Sequence, residues 1–302
     1  MRALASFIMQ GGRQATIVVA TMAILSLLMP PLVIISVAAV CLLTLRNGYI
    51  DGLRVLIGAT VATALIGYIV LGTSVVAFTY LLMMWLPAYL VSLVLRETRQ
   101  LNLALECLVV LGMIAVVGVY SAIDDPAQLW AAGIHNALAA LSEQQPLPIS
   151  SEELQVGVEL WSHYVTGLVV AGTLLSILMS LLLARWWQGL LFNAGGFDEE
   201  FRSFRLLPRD GVLFIALMVI AVVFDGWPAE LMWNLDIQLL LLFLIVGISV
   251  VHVVIKSKSS SGYLLFAFYV MVFFVPHLIL PLIVIGLSDV WMNWRQRFIT
   301  KT

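Results

Sequence analysis

Aromatic and ionisable side chains inside long apolar runs are the residues of this chain that could recognise a ligand. One tryptophan and two tyrosines lie near Pro87 in a 41-residue uncharged run, and a glutamate lies in the next apolar run. Aromatic side chains beside a kinked midplane helix are typical of solute-binding sites, and an ionisable group inside a membrane is costly to bury. We therefore predict a ligand-binding site formed by Tyr80, Trp85, Tyr89 and Glu106. Ordinary packing around Pro87 is the alternative for the aromatic residues, and an interfacial position is the alternative for Glu106.

A second group of residues with recognisable chemistry lies in the sequence ARWWQGLLFNAGGFDEEFRSFRLLPRDG, which begins at Ala184. After a glycine turn, phenylalanines recur at helical spacing, with acidic residues in the first turn and arginines later. This pattern is typical of an amphipathic helix in the cytoplasmic membrane interface, at about residues 187–209, which Pro208 would end. It predicts a docking surface for a cytoplasmic partner formed by Phe197, Phe201, Arg202, Phe204 and Arg205. A simple elbow between two membrane spans is the alternative.

Acidic and aromatic residues also occur together near the start of another apolar run. Asp225, Glu230 and Asp236 lie close in sequence to Trp227 and Trp233. Such a group could attract a cation. Solvated carboxylates of an outer loop are the alternative interpretation.

The remaining residues form no catalytic or metal-binding pattern. The four histidines have no paired ligand spacing, neither cysteine is placed beside a histidine, and no glycine-rich phosphate loop is present. We therefore predict no enzymatic activity, no cofactor and no metal site. The net charge of −2 gives no indication of nucleic-acid binding. Cys41 and Cys107 lie in apolar runs, so we expect both thiols to be reduced.

The composition predicts that these residues are held in a lipid environment. Of the 302 residues, 62% are hydrophobic and 11% are charged, and the mean hydropathy is +1.08. A soluble domain is nearer half apolar and a quarter charged, so a water-facing globular protein is excluded. We predict an all-α fold, a polytopic transmembrane helical bundle that forms one integral membrane domain over residues 1–302.

The distribution of basic residues predicts the topology. The 32-residue uncharged run near the N-terminus is broken at Pro30–Pro31, and the 30-residue run near the C-terminus at Pro276 and Pro281. If the chain reverses at both breaks, all 15 basic residues lie on the cytoplasmic side. We predict eight to ten membrane segments, a bacterial inner-membrane location and cytoplasmic termini. Each half of a terminal hairpin reaches only about 22 Å, so these hairpins either thin the bilayer or are re-entrant.

One sizeable segment is predicted on the outer side, at about residues 122–160. Asp125 followed by Pro126 starts a short helix, which a proline-containing stretch ends near residue 144. Ser150 and Glu153 then form a capping box, from which a helix can continue to Trp187. The segment is either a covering loop or a lid that receives a ligand.

The sequence ARWWQGLLFNAGGFDEEFRSFRL resembles the motif of the proteobacterial branch of the YybS-like predicted membrane proteins, a family with a domain of unknown function. Positions 184–197 carry most of the likeness, and the general layout is similar over nearly the whole chain. The family is often compared with the substrate-binding subunits of energy-coupling-factor vitamin transporters. The resemblance therefore implies a small-molecule-binding bundle that a partner energises. Those subunits are smaller, and their coupling helix carries small residues four apart, a pattern that is not clear in the first spans here.

These observations predict a solute- or lipid-binding transport component of the inner membrane. Its expected partners are the lipid bilayer, a small-molecule or lipid ligand, and a cytoplasmic or membrane protein subunit. The alternative is a non-transporting membrane scaffold or assembly factor that docks a cytoplasmic partner through its inner amphipathic helix.

Overall fold

A computed structural model describes residues 1–142, 151–192, 204–257 and 261–299, and most of these residues are helical, with no β-strand among them. The predicted all-α class is therefore confirmed. The α-helices are accompanied by one π-helical turn, Leu81–Trp85, and one 3₁₀ turn, Pro276–Leu278, within the described ranges. In chain order the helices are α1 (Arg2–Ile8), α2 (Gly12–Leu25), α3 (Leu32–Asn47), α4 (Tyr49–Leu71), α5 (Val75–Tyr80), α6 (Leu86–Thr98), α7 (Leu101–Ala122), α8 (Pro126–Ser142), α9 (Ser151–Phe192), α10 (Pro208–Val223), α11 (Trp227–Lys256), α12 (Ser261–Phe274), α13 (Ile279–Met292) and α14 (Trp294–Ile299).

Five helical segments are long and apolar enough to cross a membrane. The shortest of them, α7, has 22 residues and reaches about 33 Å, which exceeds the roughly 30 Å of a bilayer core. The helices around Pro276 would make a sixth candidate, but the chain bends there by 106°. By length and composition the candidate spans in the described residues are α4, the segment Val75–Thr98 (α5 to α6), α7, α9 and α11.

Helix α3 lies at the centre of the N-terminal half. Ten consecutive residues, Ser36–Leu45, are buried, because α2, α4, α6 and α9 all pack against this helix. A helix that is apolar on every face belongs in such an interior position. The Ser36 hydroxyl donates a hydrogen bond of 2.8 Å to the carbonyl oxygen of Val19, which fixes α3 against α2. With 14 and 16 residues, α2 and α3 reach only about 21 and 24 Å.

The 41-residue uncharged run is divided into two helical segments, as its length predicts. Gly72 ends α4 with φ at +71°, a left-handed conformation that glycine adopts without strain. The second segment contains the π-helical turn immediately before Pro87. Proline has no N–H to give to the carbonyl four residues earlier, and the wider turn accommodates that missing bond.

The predicted start of the first outer helix is confirmed, whereas Ser150, the predicted cap of the second, lies outside the described residues. Helix α8 begins at Pro126, and the carboxylate of Asp125 accepts the N–H of Gln128 at 2.9 Å. Helix α9 runs unbroken over 42 residues and passes Trp187. The indole N–H of Trp130 donates to the hydroxyl of Thr166 at 2.8 Å, so α8 packs on the side of α9.

Within the predicted amphipathic segment at about residues 187–209, most of the helix expected after the glycine turn lies outside the described residues, and its predicted continuation to an end at Pro208 is wrong. Helix α9 occupies this segment as far as Phe192, residues 204–207 are not helical, and Pro208 begins α10 instead of ending a helix. The reason is local capping, because the Asp210 carboxylate accepts the N–H of Leu207 at 2.9 Å and proline suits a first helical turn. The docking residues Phe197, Phe201 and Arg202 lie outside the described residues.

Two glycines bring α11 and α13 into backbone contact. A Cβ atom on Gly247 would collide with the carbonyl oxygen of Leu282, and one on Gly286 would collide with the carbonyl oxygen of Phe243. Small residues at a crossing allow the close approach that stabilises helix pairs in an apolar environment. This crossing therefore fixes the C-terminal helices against α11.

We expect Gly286→Ala to lower the free energy of unfolding by about 3 kcal/mol, because the new methyl group must displace backbone rather than a flexible side chain. Gly172→Ala is the matched control, since a Cβ there meets no atom within 4 Å. That change should leave stability equal or raise it by about 0.5 kcal/mol. Thermal unfolding in detergent measures both, and equal midpoints for the two variants would show that the crossing is not tight.

Candidate functional site

The structure brings two of the predicted ligand-binding residues together, but their polar atoms bond to the protein. Trp85 is fully buried, and its indole N–H donates to the hydroxyl of Ser36 at 3.1 Å. The ring of Tyr80 stacks on that of Trp85 at 5.8 Å, and its hydroxyl lies 2.6 Å from that of Ser26. These contacts fasten the segment around the π-helical turn onto the α2–α3 hairpin.

The other two predicted residues make their polar contacts elsewhere. The hydroxyl of Tyr89 donates to the carbonyl oxygen of Tyr49, the first residue of α4, at 3.1 Å. The carboxylate of Glu106 forms an ion pair with Arg209 in the first turn of α10. A role of these four residues in ligand binding stays a prediction, and each of them already has a structural partner.

Phe204 and Arg205, the described residues of the predicted docking surface, differ in exposure. Phe204 is 3% exposed, and its carbonyl oxygen accepts a hydrogen bond from the guanidinium of Arg295. Burial lowers the pKa of Arg295 from its ordinary value, and the nearby Asp289 carboxylate opposes that effect. Arg205 is exposed. Phe204 therefore packs inside the protein, where it is not accessible to a partner.

A polar network instead joins α7, α9 and α11 near the start of α11. The hydroxyl of Tyr120 donates to one carboxylate oxygen of Glu230 at 2.5 Å. The other oxygen of Glu230 lies 2.6 Å from Nδ1 of His163. One carboxylate is thus held in position by side chains from two other helices.

Asn234 occupies the centre of this network, one helical turn after Glu230, and is fully buried. Its side-chain oxygen accepts the N–H of Gly167 at 2.5 Å. Its amide nitrogen donates to the carbonyl oxygens of His163 and Glu230, both at 2.7 Å, and lies 3.0 Å from the hydroxyl of Tyr120. One turn further, the Gln238 amide donates to the Gly167 carbonyl at 2.9 Å. The network therefore fixes the separation of the three helices.

A cavity of about 440 Å³ opens beside Glu230. Among the described residues that line it, none is Lys or Arg. Carboxylates and aromatic faces both attract cations, the aromatic faces through their negative quadrupole. The cavity is therefore suited to a small organic cation. Its carboxylate and aromatic side chains are those of Asp124, Asp125, Glu230, Tyr120, Tyr164, Trp227 and Trp233, and His163 also lines it.

The acidic group near the start of α11 is only partly assembled in the structure. Glu230 lines the cavity, whereas Asp236 is 2% exposed and neither of its carboxylate oxygens has a hydrogen-bond partner among the described residues. Asp236 is two positions from Asn234, so it lies on the opposite side of α11. Asp225 is exposed. No group of three or more His, Cys, Asp or Glu residues in the described ranges is placed to hold a metal ion.

Sequence reasoning missed most of this network. Glu230, Asn234 and Gln238 recur every four residues within an apolar helix, and that spacing was the available signal for a shared polar face. Tyr120 and His163 come from distant parts of the chain, and no local spacing relates them to Glu230. Their contribution is visible only after the helices are packed.

We expect Asn234→Ala to lower the free energy of unfolding by about 3 kcal/mol, since it leaves the Gly167 amide and two carbonyl groups without a side-chain partner. Asn47→Ala is the matched control, because Asn47 is exposed and its side chain donates to the partly exposed Asp51 carboxylate at the protein surface. That variant should stay within about 0.5 kcal/mol of the parent protein. Thermal unfolding in detergent is the measurement, and similar losses in both variants would contradict a central role for Asn234.

Comparison with known proteins adds no further information about the site. No protein-family model, curated protein or solved structure matches this chain.

Proposed function

We propose that this protein is a multi-pass protein of the bacterial inner membrane, a bundle of eight to ten membrane segments with both termini in the cytoplasm. The five candidate spans and the placement of all basic residues on one side of that topology support the proposal. Exposed apolar side chains support it further, since Ile69 on α4 is 80% exposed and Phe273 on α12 is also 80% exposed. Apolar surface of this kind is suited to contact with lipid tails.

Within that membrane the protein acts as a solute-binding transport component, and its solute is a small organic cation. The observation that carries this assignment is the cavity of about 440 Å³ beside Glu230, with three carboxylates and four aromatic side chains among its described lining residues. The volume lies in the range of about 300–1,000 Å³ that is typical of small-molecule sites. The resemblance to the YybS-like family, which implies small-molecule binding, is consistent with this proposal.

The side chains that line the cavity contribute to cation binding in three different ways. Asp124 and Asp125 follow the end of α7 and raise the local concentration of cations. The rings of Trp227 and Trp233 offer faces to a desolvated cation. Glu230 supplies the counter-charge. Its contacts with Tyr120 and His163 fix the orientation of the carboxylate in the absence of ligand. The three helices that meet here are candidate membrane spans, so a cation bound in the cavity would affect how these helices pack against one another.

We expect the purified protein in neutral-lipid nanodiscs to bind choline, used as a probe for organic cations. Glu230→Gln should weaken choline binding about tenfold, because it removes the counter-charge but keeps the shape of the side chain. Isothermal titration calorimetry measures the affinity. The uncharged analogue, in which a tert-butyl group replaces the trimethylammonium, should not bind detectably.

Glu106→Gln is the matched control for this experiment, since it makes the same chemical change in a residue outside the cavity lining. It should leave choline affinity unchanged. Loss of binding in Glu106→Gln or Trp85→Ala, with binding intact in Glu230→Gln, would instead place the ligand at the site predicted from sequence. Equal binding of choline and its uncharged analogue would contradict recognition of a cation.

The proposed topology is tested by reporter fusions. A fluorescent protein fused after Thr302 should fluoresce, because it folds in the cytoplasm in this arrangement. Alkaline phosphatase inserted near Gln145 should be active, since that enzyme matures only outside the inner membrane. An active phosphatase fusion at Thr302 would show that the last apolar run crosses the membrane once.

A further inference from the structure

A second cavity, of about 490 Å³, lies near the other end of α9, and half of the described residues that line it are arginines. Arg185 of α9 lines this cavity, whereas His163 of the same helix lines the first one. The 22 positions between them correspond to about 33 Å along the helix axis. This is the end of the bundle that the positive-inside rule assigns to the cytoplasm.

Four arginine side chains line this cavity, and they come from α3, from α6 with its C-terminal cap residue, and from α9. Arg46 comes from the last turn of α3, Arg96 from α6, Arg99 from the residue after α6, and Arg185 from α9. One carboxylate, that of Glu97, also lines the cavity. The side chain of Glu97 is 75% exposed and lies 3.7 Å from the Arg96 guanidinium, so solvent screens this pair.

Contacts with the protein hold several of these arginines in place. The Arg96 guanidinium donates to the carbonyl oxygen of Leu45 at 2.7 Å, which joins α6 to the end of α3. The Arg46 guanidinium lies 4.2 Å from the centre of the Phe192 ring, and the Arg185 guanidinium donates to Gln188. The contacts of Arg96 with Leu45 and of Arg46 with Phe192 engage neutral groups, so they orient these two guanidinium groups without adding a counter-charge.

Arg99 is held beside the cavity by an unusual backbone conformation. Its φ is +54°, in the left-handed region, at the C-terminal cap of α6. Glycine occupies such a position without strain and usually ends a helix there. The chain has an arginine at this position, and a strained backbone of this kind points to a role for the side chain.

We propose that this cavity binds a phosphate-bearing anion. Guanidinium groups match phosphate oxygens with paired hydrogen bonds, and several arginines on separate helices can surround one phosphate. Apart from Leu45 and Leu95 the described lining is polar, which suits a head group or a soluble phosphate compound better than an acyl chain. Basic pockets between membrane helices on the cytoplasmic side bind anionic head groups by the same chemistry.

The general bias of basic residues towards the cytoplasm does not by itself explain this arrangement. Arg13 and Arg54 belong to the same side of the proposed topology, yet they line a different cavity. Arg54 is paired there with Asp51 at 2.9 Å. The bias requires basic residues on one side, whereas the structure gathers four of them around one space.

The test uses the full chain in nanodiscs of zwitterionic phosphatidylcholine. Binding of inorganic pyrophosphate is measured by calorimetry, and retention of added phosphatidylglycerol by native mass spectrometry. The test variant is Arg99→Gly combined with Arg185→Gln, which removes two guanidinium groups from the cavity. Arg54→Gln is the control, since it removes one arginine from the same side outside the cavity. Arg99→Gly alone should not lower the unfolding temperature, because glycine accepts a φ of +54°.

The expected result is that the double variant binds the anion at least about tenfold more weakly than the parent protein, while Arg54→Gln is unchanged. Loss of pyrophosphate affinity would identify a soluble phosphate compound as the ligand. Loss of one retained phosphatidylglycerol would identify a lipid head group. The proposal is overturned if neither anion binds the parent protein, or if both bind the parent and the variants equally. If the double variant does not fold, Arg99→Gly alone is compared with Arg54→Gln by the same criteria.

Discussion

The structure depends on one constraint, which is that polar groups buried in so apolar a chain are costly unless they bond to a partner inside the protein, and Asp236 is one exception to it among the described residues. An unpaired buried amide or carboxylate costs several kcal/mol where neither water nor lipid can hydrogen-bond to it. Helix α11 shows how the chain meets this constraint. On one side Asn234 and Gln238 bond to backbone groups of α9, and on another side Gly247 admits the backbone of α13. The position of α11 against its neighbours follows from these contacts, and the cavity beside Glu230 follows from the position of α11.

The two cavities have opposite chemistry and lie near opposite ends of the same helix. Near the start of α9 the lining is acidic and aromatic, and near its end it is rich in arginine. Charged side chains are stable at the ends of a membrane helix, where they reach water and lipid head groups, and they are costly in its middle. A continuous helix of 42 residues joins the two regions, so the two cavities share one rigid element.

Much of the fold was predictable because it depends on local signals. The lengths of the uncharged runs, the break at Gly72 and the start of α8 after Asp125 each reflect a few adjacent residues. Pro208 shows where local signals fail, since a proline fits both the end of one helix and the first turn of the next. Here Pro208 lies in the first turn of a helix because the Asp210 side chain caps the start of that helix. The polar network beside the cavity depends on contacts between residues far apart in sequence, because 110 positions separate Tyr120 from Glu230.

The aromatic residues around the π-helical turn illustrate why residue type alone does not locate a ligand site. Trp85 and Tyr80 have the aromatic chemistry of a binding site, but their polar atoms already bond to Ser36 and Ser26. In the apolar interior these bonds are required whether or not a ligand exists, because the free groups would be costly to bury. At the helix ends, water can hydrogen-bond to side chains such as Asp124, and a ligand can displace that water. Polar groups that remain available for recognition are therefore more readily found at the ends of this bundle than at its centre.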